Sequence, residues 1–443
     1  MKKTIDQINL AQKRVVIRVD FNVPMDGQTI TSNTRIVAAL PTINKALSAG
    51  AKVILLSHLG RIKETADLAH KTLKPVAAEL ERLLERPVHF VPKPTGPKVF
   101  EAINKLNFGE VLMLENTRWE DLNNKAESKN NPELGKFWAS LGDVFINDAF
   151  GTCHRAHASN VGIAANIGES AIGYLVAKEV QALTKAIENP ARPAVAIIGG
   201  AKVSDKIKTI EHLIRNVDKL IIGGGMAFTF WKAQGFNIGK SLVEDEQIPL
   251  AQALLKQYQD RIVLPVDAAL SATFANTVPV YNEYNSLEVP SNMMGLDIGP
   301  KSIELFTKHL QGAKTVLWNG PLGVTEFGNY ARGTEAIAKA IGALGSDAYT
   351  VVGGGDSVAA IKKLNLADQF SHISTGGGAC LAMLEGTVLP GIEAIQDDGR
   401  TPSPTPSASA APDQTSTAEL GKTKKFQLFR KKGKKSSSEG AEE

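Results

Sequence analysis

Short apolar runs rich in Val and Ile recur along the chain, and each ends in a turn loaded with polar residues or glycine. Stretches with helical spacing lie between them, among them Arg35 to Ala49, Lys74 to Glu85, Asp205 to Asn216 and Glu335 to Leu344. This alternation is the βαβ rhythm of parallel strands covered on both faces, and it predicts an α/β protein. The load in the turns changes halfway. Arg14 to Val19 leads into Asp20-Phe21-Asn22, Lys52 to Leu56 into Ser57-His58-Leu59-Gly60-Arg61, Val111 to Leu114 into Glu115-Asn116-Thr117-Arg118, and Val144 to Ile146 into Asn147-Asp148 with Arg155 beyond. Later runs end instead at Gly199-Gly200, Gly223-Gly224-Gly225, Gly353-Gly354-Gly355 and Gly376-Gly377-Gly378. Ligands of open parallel sheets bind beyond the carboxyl ends of the strands. The asymmetry therefore predicts two facing half-sites, one cationic and suited to a small polyanion, the other offering bare backbone N–H groups to a phosphate tail.

Tyr174 to Glu188 has helical spacing and ends at Asn189-Pro190, which predicts a connecting helix with a domain boundary near residue 190. A chain of 443 residues exceeds what one core usually serves, so two domains are expected. Composition changes after Pro390-Gly391-Ile392 to Thr401-Pro402-Ser403-Pro404-Thr405-Pro406-Ser407 and then to Ala, Ser and Gln, a segment expected to be disordered. It leads to Lys422–Lys435, where eight of fourteen residues are basic, none is acidic, and Phe426, Leu428 and Phe429 are interleaved. Such a stretch suits an anionic membrane surface or nucleic acid; a solvated tail is the plainer alternative.

Charge partition sharpens this. The formal charge of +4 resides in residues 400–443, which hold nine Lys/Arg and five Asp/Glu, leaving 41 of each sign in residues 1–399. The body thus carries no net bias toward nucleic acid. Only Cys153 and Cys380 are present, far apart, so neither a disulfide framework nor a cysteine metal site is expected, and a reducing, cytoplasmic setting fits. The N-terminus lacks the apolar core of a signal peptide, and no membrane span is expected.

A single glycine cluster after a strand reads first as packing or positive φ. Four clusters in one half, three of them triplets, suggest backbone approach by a ligand. The nearest Walker-type match, Gly239-Lys240-Ser241, has Gln234 where its first glycine should stand, and both Gly223–Phe228 and Gly353–Val358 lack the third small position of the dinucleotide fingerprint. Lys202 and Lys206 follow Gly199-Gly200 and share a face if a helix begins that early. Asp356 reads either as a helix N-cap or as a magnesium ligand accompanying ATP.

Arg18-Val19-Asp20-Phe21-Asn22-Val23-Pro24 strongly resembles the signature of the phosphoglycerate kinase family. Ser57 to Arg61, Asn147 to Ser159, Gly199 to Lys206, Gly295 to Lys301, Trp318 to Val324 and Gly353 to Ser357 resemble further motifs of that family, in its order, over residues 1 to 396. The resemblance implies two Rossmann-like domains with parallel sheets covered by helices on both faces, joined by a hinge helix. It divides the chain into a triose-phosphate-binding domain at 1–173, the hinge helix at 174–189, a nucleotide-binding domain at 190–388, a segment returning to the first domain at 389–399, and the tail at 400–443.

It also implies reversible, Mg²⁺-dependent phosphoryl transfer between ATP and the carboxylate of 3-phosphoglycerate, giving 1,3-bisphosphoglycerate and ADP in glycolysis, by a monomer. A carboxylate acceptor is already ionised at neutral pH, so the chemistry needs alignment and charge neutralisation rather than a general base. Similarity to the family assigns Asp20, Phe21 and Asn22 to the triose, and His58, Leu59, Gly60, Arg61, Arg118 and Arg155 to its 3-phosphate pocket, whose four cationic side chains select a phosphorylated acid. Arg35 and Lys202 are the expected transition-state stabilisers, bordered by the backbone of Gly376 and Gly377. Lys206, Gly354, Gly355 and Ser357 are expected at the ATP phosphates, Asp356 at magnesium, Glu326 at the ribose and Gly295 near the adenosine.

Ile62 stands where the family usually has proline, Cys153 where alanine is common and Cys380 where serine is usual. None removes a charge the mechanism needs, although Cys380 raises the question of an oxidisable thiol near the site. A binding protein on the same fold, and a different carboxylate or acyl-phosphate kinase, remain as alternatives. The preferred nucleoside triphosphate and the partner of the tail are open.

Overall fold

The structure is a computed structural model and describes residues 1–282 and 287–399. The tail expected from residue 400 onward lies outside the described residues.

Two six-stranded sheets, all parallel, carry the molecule. Across the first the order is Val88–Val91, Val111–Leu114, Lys52–Leu56, Arg14–Val19, Val144–Asp148 and Ser170–Ile172. Across the second it is Ile262–Val263, Lys219–Ile222, Ala194–Ile198, Thr315–Asn319, Tyr349–Gly353 and His372–Ile373. In each the first strand lies centrally, later strands are added on one side, and the chain then crosses to the other. The switch points fall between Arg14–Val19 and Val144–Asp148, where Val19 is opposite Asp148, and between Ala194–Ile198 and Thr315–Asn319, where Ile198 is opposite Asn319. Crevices at the carboxyl ends of such neighbours are where α/β sheets take ligands.

Strands buried on both faces need continuous apolar runs, and Arg14–Val19 and Ala194–Ile198 are buried along nearly their whole length. Helices cover them. Pro97–Lys105, Pro132–Ala139 and Pro300–Leu310 each begin on proline, whose missing N–H costs nothing in a first turn. The connecting helix is Tyr174–Ile187, with Glu188 as its C-cap. Its first turn is capped from elsewhere. Asp148 Oδ1 accepts from the N–H groups of Leu175 at 2.9 Å and Val176 at 3.3 Å, and Thr42 Oγ1 accepts from Tyr174 N at 2.9 Å. One apolar core runs from Phe145 and Phe150 through Val176, Leu183 and Ile187 of this helix to Leu213, Leu317 and Val351, so the helix is packed into both halves.

Three expectations change. A small antiparallel sheet of Val280–Tyr281, Ala268–Ser271 and Met294–Ile298 accompanies the second half and was not foreseen. The helix expected from Asp205 begins at Ile207, with Lys206 in non-helical conformation before it, so Lys202 and Lys206 do not share a helix face. Gly354 occupies the N-cap position of Gly355–Lys363, leaving Asp356 inside the first turn rather than at the cap.

Candidate active site

A cleft of about 970 Å³ lies between the carboxyl ends of the two sheets. From the first half its wall takes Asp20, Asn22, Arg35, His58, Gly60, Arg61, Arg118 and Arg155. From the second it takes Gly354, Gly355, Gly376 and Gly377. Phe21 and Leu59 are buried behind the wall. Gly295, Ser357 and the charged residues Lys202, Lys206, Glu326 and Asp356 lie outside the cleft lining; of these, Lys202, Glu326 and Asp356 are exposed.

The first wall is built from side chains held by other side chains. Arg35 Nη1 donates to Asp20 Oδ2 at 2.5 Å, and Gly60 N donates to Asn22 Oδ1 at 2.8 Å. Arg118 Nη1 donates to Gly60 O at 3.0 Å, and Asn116 accepts from the Arg118 N–H while its amide ties Leu59 and Lys71 together. Behind them Arg18 is fully buried, 3.9 Å from the buried Glu127 carboxylate, with its Nε donating to Ser159 Oγ at 2.7 Å. Glu127 in turn accepts from Ser159 N at 2.9 Å and Thr117 Oγ1 at 3.3 Å.

Histidine chemistry here differs from the expected cation. Burial first, then the charges of Arg18 and Arg118, hold His58 well below the ordinary histidine range. The same causes pull His157 down to about 3. At neutral pH both rings are neutral, so the pocket's fixed charge comes from Arg61, Arg118 and Arg155 rather than from four cationic side chains. Arg118 Nε, His154 Nδ1 and His157 Nδ1 are buried on this wall without a hydrogen-bond partner. Buried polar atoms are rarely left so; His157 Nδ1 faces the Glu127 carboxylate at 3.9 Å, and the Arg118 guanidinium borders the cleft. His154 and His157 escaped individual assignment, although both stand in the Asn147 to Ser159 motif.

The second wall is built from backbone. Helices Gly355–Lys363 and Gly377–Leu384 begin at the cleft, so free N–H groups and the positive ends of two helix dipoles border it. A Cβ on Gly355 or Gly377 would meet nothing within 4 Å. The other clusters have a different cause. A Cβ on Gly199 would overlap the carbonyl oxygens of Gly320 and Pro321, one on Gly223 the Leu322 side chain, and one on Gly353 the Cys380 sulfur. Close chain packing at the switch point, not ligand approach alone, therefore accounts for most of these glycines. Gly295 lies against the Phe228 ring and donates its N–H to Ser241 Oγ at 2.9 Å.

Lys206 donates to Asn319 Oδ1 at 2.7 Å, and burial lowers its pKa. The Lys202 loop is pinned by Glu244, which accepts from Ser204 N at 3.1 Å and Ser204 Oγ at 2.5 Å. Across the cleft the halves touch: a Cβ on Gly378 would fall 2.7 Å from His154 Nε2. On the connecting helix the fully buried Glu179 accepts from Thr375 N at 2.6 Å and Thr375 Oγ1 at 2.7 Å and bonds His372 Nε2 at 2.7 Å. It thus ties this helix to the turn before Gly376. Burial pushes the thiols of Cys153 and Cys380 up to about 12, so both are unreactive in the fold.

The family model of phosphoglycerate kinase matches residues 5–387. The chain belongs to the phosphoglycerate kinase family. The phosphoglycerate kinase of Mesomycoplasma hyopneumoniae is 56% identical over 396 residues, which are 89% of this chain and 98% of that protein. That of Listeria monocytogenes is 56% identical over 396 residues, 89% of this chain and 99% of the relative. Among solved structures, the phosphoglycerate kinase of Coxiella burnetii superposes with a TM-score of 0.79 at 41% identity, covering 89% of this chain and 98% of its own. The enzyme of Pyrococcus horikoshii gives 0.75 at 32% identity over the same shares. Membership of the phosphoglycerate kinase family makes this chain a phosphotransferase with a carboxyl acceptor, acting in glycolysis.

Proposed function

We propose that the cleft divides the phosphoryl transfer between ATP and 3-phosphoglycerate by wall, the first half (1–173) holding the triose and the second (190–388) the nucleotide. The observation that carries this reading is the contrast of donors: side-chain guanidiniums and orphaned ring and guanidinium nitrogens on one wall, backbone N–H groups at two helix starts on the other. The 3-phosphate is bound by Arg61, Arg118 and Arg155, with His58 serving as a neutral partner. Asp20 and Asn22 bond the hydroxyl and carboxylate end, above Phe21. Asp20 holds the Arg35 guanidinium by a 2.5 Å bond, so Arg35 waits oriented for the carboxylate and the transferring group.

On the nucleotide side the donor set fits a magnesium nucleotide. An exposed carboxylate, Asp356, stands in the first turn of a helix whose leading Gly355 has open space at its Cβ position, and the half-buried Lys206 ammonium feels its charge. Among the described residues no three His, Cys, Asp or Glu cluster as a metal cage, which agrees with Mg²⁺ held chiefly by phosphate oxygens and one carboxylate. Bound there, Mg²⁺ would neutralise phosphate charge. Gly354, Ser357 and Lys206 serve the phosphates, Glu326 the ribose, and Gly295 borders the adenosine. Lys202 follows the phosphoryl group, with Gly376 and Gly377 donating backbone N–H groups as charge develops.

The reacting groups belong to different halves, so catalysis needs the walls to approach. Tyr174–Ile187 is the hinge in this reading, supported by Asp148 at its start and by Glu179 linking it to Thr375. The enzyme works as a monomer. A coupled assay of 3-phosphoglycerate-dependent ATP consumption with magnesium tests the assignment. Arg35→Ala and Lys202→Ala should each lower kcat by roughly a hundredfold or more with unchanged melting temperature. Turnover unaffected by either change would refute the role of that residue in stabilising the transferring group.

A further inference from the structure

The part of the chain that the family does not account for is its C-terminal extension. The family model ends at residue 387, and the Mesomycoplasma and Listeria relatives are covered over 98% and 99% of their own lengths by 396 residues, leaving the extension unmatched. The described chain also ends at a defined place. Asp398 N donates to Met1 O at 2.9 Å, Lys3 N to Gln396 O at 2.8 Å, and Lys2 Nζ pairs with Asp397 at 3.2 Å. Gln396 Nε2 donates to Gly168 O at 2.9 Å, just ahead of the Ser170–Ile172 strand. The chain therefore leaves the first sheet at the amino ends of its strands, whereas the cleft opens at their carboxyl ends.

The charge of the extension is concentrated and unbalanced. Residues 1–399 hold 41 basic and 41 acidic side chains, while Lys422–Lys435 holds eight basic and none acidic. The net positive charge that could attract an extended polyanion surface therefore lies in this block, the folded body being balanced overall. Seven of the eight cations are lysines, which act as point charges, and only Arg430 offers the planar fork that favours paired bonds to nucleic-acid bases and phosphates. Phe426, Leu428 and Phe429 stand between Lys424-Lys425 and Arg430-Lys431-Lys432. A stacked base would accommodate a phenylalanine but gives Leu428 nothing, whereas the acyl boundary of a bilayer takes all three and anionic headgroups take the flanking lysines.

We propose that Lys422–Lys435 attaches this kinase to membrane surfaces rich in anionic phospholipid, with the cleft on the side of the fold away from the point where the extension departs. The full chain is tested by sedimentation with phosphatidylcholine vesicles that contain or lack phosphatidylglycerol, alongside a gel-shift titration with single-stranded RNA. Anionic vesicles should retain it at least tenfold better than neutral ones. Raising salt from about 0.1 M to about 1 M, where the screening length falls from about 10 Å to about 3 Å, should release most of it. The combined change Lys424→Gln, Lys425→Gln, Lys431→Gln and Lys432→Gln should cost roughly a thousandfold in affinity for anionic vesicles, and Phe426→Ser with Leu428→Ser and Phe429→Ser several-fold. Both variants should keep full turnover. Equal retention on neutral and anionic vesicles, or none on either, would overturn the proposal. So would RNA binding tighter than vesicle binding and indifferent to the Phe and Leu changes.

Discussion

In the proposed reading the two walls of the cleft solve the same problem, holding phosphate, by opposite means. The first uses long cationic side chains, two of which are held from behind, Arg35 by Asp20 and Arg118 by Gly60 O, while Arg18, buried beneath the wall, has Glu127 and Ser159. The second uses main-chain N–H groups at helix starts, which need no counter-charge; Gly355 and Gly377 there have open space at the Cβ position, whereas a Cβ on Gly376 or Gly378 would meet Phe150 or His154. A wall of side chains is therefore vulnerable through its electrostatics and a wall of backbone through its sterics. Substitutions can separate the two.

The largest effect is expected at Glu127. Glu127→Ala leaves the Arg18 guanidinium buried without compensation, which typically costs about 3–5 kcal/mol, and denaturant unfolding should show it. A small loss would mean that Ser159 and the Val19 carbonyl suffice for Arg18, and that the first wall does not depend on its charge balance. The matching steric break is Gly199→Ala, expected to destabilise by about 3 kcal/mol because the obstructing atoms are backbone oxygens of Gly320 and Pro321. If it melts like the parent protein, close packing does not account for the glycine at the Ala194–Ile198 and Thr315–Asn319 switch point.

Next comes Glu244, whose carboxylate fixes Ser204 in the Lys202 loop. Glu244→Ala should lower kcat about tenfold, near 1.4 kcal/mol, with the KM for 3-phosphoglycerate unmoved, and Glu244→Gln should recover part of the loss. An unchanged kcat would detach the loop from catalysis. Titration separates the walls in a further way. His157 has its folded pKa depressed to about 3 from 6.5, so the unfolded chain binds the extra proton and stability is lost as pH falls below about 6.5. Parent protein should lose on the order of 1 kcal/mol per pH unit relative to His157→Gln in that window. Asp297 in the second half is raised by burial to about 7, so its effect has the opposite sign, and Asp297→Asn should gain on the parent as pH rises from 4 toward 7. Parallel curves for either pair would remove the distinction. The smallest effect belongs to Gly355→Ala, where a Cβ meets open space. Stability should stay within about 0.5 kcal/mol while only the nucleotide KM rises; an equal rise for 3-phosphoglycerate would blur the two walls.

The same contrast governs what could be read from sequence. Asp20, His58, Arg61, Arg118 and Arg155 were legible because they follow apolar runs inside motifs that resemble one family, Arg35 was legible through that resemblance alone, and all six line the cleft. Glycines were ambiguous, since tight packing and ligand approach both demand a missing side chain, and only the positions of Pro321, Leu322 and Cys380 distinguish the cases. Strands as short as Ile262–Val263 and His372–Ile373 carry too few residues to show a period. The supporting carboxylates were invisible for a different reason: Glu127, Glu244 and Glu179 act on partners 32, 40 and 193 residues away, a proximity that only the fold creates.

One contact bears on how the molecule is made. Asn147 Nδ2 donates to Gly391 O at 2.8 Å, Gly391 N to Cys153 O at 2.9 Å, and Gln396 N to Ser170 Oγ at 3.2 Å, so the last residues of the fold complete the half that emerges first from the ribosome. The loop bearing His154 and Arg155 has its final supports only after the second half has been synthesised. During translation the nascent first half can bury most of its strands, but its wall of the cleft lacks these supports until nearly four hundred residues have been joined.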